Sequence, residues 1–233
     1  MSPFPNPYKE QIHLYPQILI PRQKLLEYPH PSQYIEKLLP KYRRLLFEIG
    51  SGSGKHLIEQ AKRSPQTLHI GLELRYKRLV RTAQKAQELN LTNLKVLQWN
   101  GNLFEQLLQP NWVDEFYLLF PDPWPKRKHQ KKRIFLGNFL QNLHHTLKIH
   151  GTFCLKTDHE DYFHTFLQNL QDYLQSPHNQ PYPLQIQHIT HDFHASDLSE
   201  NNIMTEFEAL FFYKQKKKIH YLLLKKLNSP PAP

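Results

Sequence analysis

The residues best placed to do chemistry are Phe120-Pro121-Asp122-Pro123-Trp124-Pro125-Lys126, where an apolar run ends in a proline-punctuated acidic turn and becomes basic. Proline fixes φ near −65° and disfavours the α region for the residue before it, so alternate prolines should hold Asp122 and Trp124 extended. A carboxylate held that way suggests a positioned reacting group. The six Lys/Arg next in the chain, Lys126, Arg127, Lys128, Lys131, Lys132 and Arg133, lead into an apolar face starting at Ile134. Cations at the start of a helix oppose its dipole, which folding alone would not choose. A polyanionic partner would remove that conflict.

A second constellation lies upstream. Gly50, Gly52 and Gly54 fall within five residues directly after an apolar run. Glycine permits positive φ and close backbone approach, and such a turn at the carboxyl edge of a parallel sheet suits a nucleotide-like cofactor. A dinucleotide fingerprint would need its third glycine at position 55, which is Lys55. Glu48 beside the loop would repel phosphate but suits a cationic amino-acid tail, and Glu73 is spaced for two ribose hydroxyls. A cationic, phosphate-free adenosine ligand is S-adenosylmethionine. Asn100, at the next strand tip, is a candidate for the adenine edge. Structural alternatives are an ion pair of Glu48 with Arg43 or Arg44, and helix capping by Glu73.

Positioning these groups requires alternating elements. Strands are expected at Leu45–Ile49, Leu68–Leu74, Leu94–Gln98, Val113–Phe120 and Thr152–Lys156. Helices should fill Lys55–Arg63, the stretch from Tyr76 toward Asn90, Leu103–Leu108, Ile134–Lys148 and the stretch from Asp158 to Leu174, with Asp158 as N-cap. Strict alternation means a parallel sheet with helices on both faces. Strand-like Leu184–Thr190 and Ile219–Leu224, with a short helix near Thr205–Phe212 between them, read as a C-terminal antiparallel hairpin. The fold class is thus α/β, Rossmann-like, with a mostly parallel seven-stranded sheet. Eight of the nineteen prolines and none of the seven glycines lie in residues 1–40, so an irregular arm is expected there with one short helix opened by Ser32. Residues 41–227 should form a single domain and 228–233 a disordered tail.

A formal charge of +10 and a pI near 9.5 favour nucleic acid over a neutral small ligand. No segment approaches the ~18 apolar residues of a spanning helix, so no membrane partner is expected. The polar, proline-bearing start lacks the apolar core of a signal peptide, and Cys154 is the single cysteine, so a reducing cytoplasm is expected. Cys154 reads as a buried small hydrophobe. His188, His191 and His194 recur every third residue but in a loop-like context without a thiolate, so no metal is expected.

Phe-Glu-Ile-Gly-Ser-Gly-Ser-Gly at 47–54, Gly-Leu-Glu-Leu at 71–74, the Phe-Pro-Asp-Pro-Trp-Pro-Lys turn, Thr157-Asp158, Ser196-Asp197-Leu198 and Met204-Thr205-Glu206-Phe207-Glu208 together resemble the bacterial tRNA (guanine-N7)-methyltransferase family. The resemblance implies a class I fold that methylates a variable-loop guanine of tRNA. It places Glu48, Glu73, Asn100 and Asp122 at the methyl donor, and Lys126, Asp158 and Thr205 to Glu208 at the substrate. Arg127, Lys131 and Arg133 are expected to grip phosphates, and Asp122 to be catalytic. Two departures stand out: Asn100 replaces the usual Asp, and Phe211-Phe212-Tyr213-Lys214-Gln215 replaces an arginine-glycine pattern. Rival readings are an inactive RNA-binding module of the same fold, or a methyltransferase acting on a protein or small molecule. A monomer or weak homodimer is expected.

Overall fold

The structure is a computed structural model that describes residues 6–228. Residues 1–5 of the expected arm and 229–233 of the expected tail lie outside the described residues. Packing divides the chain into two compact units at Leu108/Gln109.

The first unit begins with the stretch expected to be irregular, and the structure corrects that expectation. It holds α1 (Pro7–Gln11), β1 (Leu19–Ile20), α2 (Arg22–Leu25) and α3 (Ser32–Glu36). Asn6 caps α1 by accepting from Tyr8 N at 3.1 Å, whereas Pro31, not Ser32, stands before α3. Ile12, Ile18, Leu19, Ile20, Leu25 and Ile35 are buried, and at about 1.5–3 kcal/mol per buried aliphatic side chain they anchor the segment. β1 pairs in parallel with Val96 and Leu97, adding a strand to the expected seven. Two residues are too few to show a period, and Pro16 and Pro21 mask the signal. An edge position tolerates such flanking prolines.

From Arg44 the expected alternation appears as β2 (Arg44–Ile49), α4 (Lys55–Arg63), β3 (Thr67–Glu73), α5 (Tyr76–Glu88) and β4 (Leu94–Gln98). Within the unit the strand order is β1-β4-β3-β2, all parallel. α4 turns Leu57, Ile58 and Ala61 inward, and α5 turns Leu79, Val80, Ala83 and Ala86 inward, the i, i+3/i+4 spacing of an amphipathic helix. Asn90 at φ 54° ends the α5 segment, a left-handed position that asparagine tolerates.

The second unit comprises β5 (Val113–Leu119), α6 (Phe139–Thr146), β6 (Leu147–Thr157), α7 (Glu160–Gln175), β7 (Leu184–Thr190), α8 (Glu206–Ala209) and β8 (His220–Lys226). Its strand order is β5-β6-β8-β7, with β5 and β6 parallel and β8 antiparallel to both neighbours. The core is aromatic: Phe153 stacks on Phe166 at 5.9 Å between centroids, and Phe135 and Phe139 pack edge-on against Phe166. The eight strands are mostly parallel, with a C-terminal antiparallel hairpin, as the α/β expectation requires.

Two helix expectations change. The helix expected over Ile134–Lys148 starts only at Phe139, because Gly137 takes φ +65° and no helix can run through a left-handed residue. Leu136, before that start, is 38% exposed. The basic residues therefore lie not on an α-helical N-terminus but in a separate 3-10 segment, Arg127–Lys132, and the dipole conflict does not arise. The expected Thr205–Phe212 helix is one turn, α8, followed by a π turn over Leu210–Lys214 that closes with Gln215 N donating to Leu210 O at 3.1 Å.

Candidate functional site

In the first unit the candidate residues sit at the carboxyl ends of three adjacent parallel strands. Gly50, Gly52 and Gly54 all have positive φ, from 56° to 77°. At Gly54 an added Cβ would lie 2.3 Å from Thr82 Cγ2, so this glycine lets α5 close on the loop. At Gly50 a Cβ would meet nothing within 4 Å, so the loop's open side is bare backbone. Such a cradle admits a flat ligand to within van der Waals distance.

Glu48 is 3% exposed, and its Oε2 lies 2.8 Å from His56 Nδ1 on α4. That inward partner replaces the arginine pairing considered as its structural alternative. Glu73 is 8% exposed. Its Oε1 accepts from Leu74 N and Arg75 N at 2.8 and 2.9 Å, so it supports the start of α5 as well as lying at the strand end. Its Oε2 faces Arg78 Nη1 at 3.5 Å. Asn100 is exposed and caps the 3-10 segment Gly101–Leu107, its Oδ1 accepting from Asn102 N at 3.1 Å. Asparagine caps as well as aspartate does, so the departure from Asp leaves the local fold intact.

In the second unit β5 runs into the proline turn. Asp122 is at the surface there, and Trp124 adopts φ 45° rather than the extended conformation expected from its prolines. Two contacts account for it. Arg133 Nε donates to Pro123 O at 2.9 Å, and the Trp124 ring meets His129 edge-on at 5.8 Å with Lys132 Nζ 4.8 Å from its centroid.

Arg133, expected to grip phosphate, is turned inward. It is 4% exposed, and it donates to Thr165 Oγ1 at 3.1 Å and to the Asp161 carboxylate, with Tyr162 beneath its guanidinium. The planar fork is used up bracing the acidic turn against α7. Arg133 also holds the Asp161 carboxyl below the usual carboxylate range, chiefly through their hydrogen bond. Lys126, Arg127, Lys128, Lys131 and Lys132 remain exposed.

Asp158, expected to cap α7, instead pairs with Lys217 Nζ at 2.5 Å. His159 is the cap, its Nδ1 accepting from Tyr162 N at 3.2 Å. Thr205 caps α8, accepting from Glu208 N at 3.0 Å. Glu208, expected at the substrate, is fully buried. Asn202 Nδ2 donates to its Oε1 at 2.7 Å, Lys156 Nζ lies 3.4 Å from Oε2, and His194 Nε2 stands 3.0 Å away without hydrogen-bond alignment. Burial lowers the Lys156 pKa, opposed by Glu208. Glu208 thus orders the 202–208 segment in this structure. Sequence reasoning missed Lys156 and Lys217, whose partners lie 52 and 59 residues away.

Burial pushes the Cys154 thiol up to about 12, so it is inert packing as expected. His188 lies on β7 while His191 packs on Phe163 and His194 stacks on Phe212, so the three diverge. Among the described residues no group of three or more His, Cys, Asp or Glu could hold a metal, and no helix is long and apolar enough to cross a membrane.

A family model described as "Putative methyltransferase" matches residues 42–221. The tRNA (guanine-N(7)-)-methyltransferase of Geobacillus sp. is 33% identical over 206 residues, covering 88% of this chain and 87% of that protein. A bifunctional glycosyltransferase/methyltransferase of Fusobacterium nucleatum is 35% identical over 218 residues, but the chain spans only 32% of its length. Among solved structures, an antibiotic-related methyltransferase matches with a TM-score of 0.56 at 16% identity over 84% of this chain and 92% of that one, a likeness of fold. Sequence and fold converge, and the chain belongs to the tRNA (guanine-N(7)-)-methyltransferase family.

Proposed function

We propose that the chain transfers a methyl group from S-adenosylmethionine to N7 of a variable-loop guanine in tRNA. The observation that carries this reading is the second unit's surface acid followed by exposed cations: Asp122 lies on a braced turn, and Lys126, Arg127, Lys128, Lys131 and Lys132 continue from it. The names of the relatives point the same way.

The first unit fits the donor. Its glycine loop is open at Gly50, Glu48 is an acid held behind it, and Glu73 and Asn100 follow on the next two strands. S-adenosylmethionine supplies an electrophilic methyl group. Guanine N7 carries an in-plane lone pair, so no general base has to remove a proton and catalysis is mostly positioning. Asp122 accepts from the N1–H and N2 amine edge and offsets the positive charge that the purine gains as N7 is alkylated. The exposed cations hold the RNA backbone, which makes binding steeply salt-dependent.

Labelled donor with total tRNA, followed by nuclease digestion and nucleoside chromatography, tests substrate and atom together. 7-Methylguanosine is the expected product. Label in another nucleoside, in protein, or in none would sink the reading.

A further inference from the structure

Three aromatic rings of the second unit meet beside the acidic turn. Phe120, two residues before Asp122, contacts Phe211 at 5.7 Å between centroids. Phe207 lies nearly parallel to Phe211, at 5.9 Å and 17°. Phe207 is 38% exposed and Phe211 partly so, which leaves aromatic surface open to solvent beside charged residues. Phe211 lies in the π turn, a rare backbone form that occurs frequently at functional sites. Lys217 joins the two chemistries: its Nζ lies 5.0 Å from the Phe211 centroid and 2.5 Å from Asp158 Oδ2.

A guanine base likewise lays its π face on an aromatic ring, and its N2 amine keeps a second N–H to donate to another carboxylate once its N1–H/N2 edge is held by Asp122. We propose that Phe211 is the stacking platform for the target base and that Lys217 is its stand-in, occupying Phe211 and Asp158 until the base displaces it. This rests on the tRNA guanine reading and names the residue that receives the base. Trp124, on the acidic turn itself, already carries Lys132 over its ring and His129 at its edge. The ladder also explains why a phenylalanine-rich segment is tolerated here. Stacking accepts any base face, while Asp158, taking the second N2 hydrogen, adds to the selection for guanine made by Asp122.

The test compares tRNA methylation and tRNA binding for Phe211→Leu, Phe211→Trp and Lys217→Ala in the full chain, with calorimetric donor binding and thermal melts reporting on folding. Phe211→Leu should lower kcat/KM for tRNA roughly tenfold or more, the size of one lost base stack, while Phe211→Trp stays within about threefold and donor affinity is unchanged. Lys217→Ala should lower KM for tRNA, since it uncovers platform and carboxylate together. Were Lys217 a phosphate contact instead, the same substitution would raise KM and reduce the salt slope by about one, and the stand-in would be refuted. Near wild-type kcat/KM for Phe211→Leu overturns the platform while leaving the methylation reading untouched. A wild-type protein that methylates no tRNA removes that reading and this proposal with it.

Discussion

The Gly50–Gly54 loop and the Phe120–Lys126 turn each follow a parallel strand, but they are built on opposite principles. The first is shaped by residues without side chains, and its acids face inward, Glu48 to His56 and Glu73 to the backbone N–H groups of Leu74 and Arg75. The second is shaped by prolines and a buried arginine, and it leaves Asp122 and five cations at the surface. A small ligand can be recognised by a preformed backbone cradle with few charges. A large polyanion needs projecting charge, which the exposed cations after Asp122 supply.

The largest effect expected from breaking this contrast is on chemistry. Asp122→Ala should lower turnover at saturating donor roughly a hundredfold; near wild-type turnover would remove Asp122 from the mechanism. Gly54→Val should strike the other half. It forces a β-branched residue to φ +77° against Thr82, should cost about 3 kcal/mol or more in a thermal or urea melt, and should abolish donor binding. Gly50→Ala meets no atom, so its cost should be only the backbone term of about 1 kcal/mol.

Arg133 and Lys131, two residues apart, sharpen the distinction between brace and grip. Arg133→Met should destabilise by about 2–3 kcal/mol, because it leaves the Pro123 carbonyl and Thr165 without their donor. Lys131→Ala should leave the melt unchanged and reduce the salt slope of tRNA binding by about one. The reverse pattern would mean that the two cations have been assigned the wrong way round.

A further effect, separate from the two sites, is on pH. Burial lowers the pKa of His69 on β3 from 6.5 to about 4. A depressed histidine binds its proton more readily when unfolded, so its contribution is complete above about pH 6.5 and is lost as pH falls toward 4. His69→Gln should flatten stability across that window, measured by urea melts, whereas an unchanged slope would assign the loss to other groups.

Much of the molecule is legible in the sequence because its causes are local. Glycine spacing marks the cradle, helical periodicity marks α4 and α5, and three alternate prolines mark the acidic turn. Strand β1 is not legible, since a two-residue pairing leaves no period. The late start of α6 is signalled by Gly137 but hidden by the apolar spacing around it. Arg133 reads like every other cation in its run, because one charge in a basic stretch carries no sign of which way its side chain will turn.

The amino-acid sequence by itself determined the fold class, the glycine cradle, the position of Asp122 after β5 and the basic character of the residues beyond it. These depend on backbone freedom, periodicity and composition, which act over a few residues. Only the tertiary structure decided the polar partnerships: Arg133 with α7, Asp158 with Lys217, and Glu208 with Lys156 and Asn202. A buried or half-buried charge must find its partner wherever the fold places one, and the carboxylate partner of Arg133 lies 28 residues along the chain and the lysine partner of Asp158 lies 59. Sequence spacing holds no record of such distances, whereas the cost of an unpaired buried charge enforces them once the strands are in place.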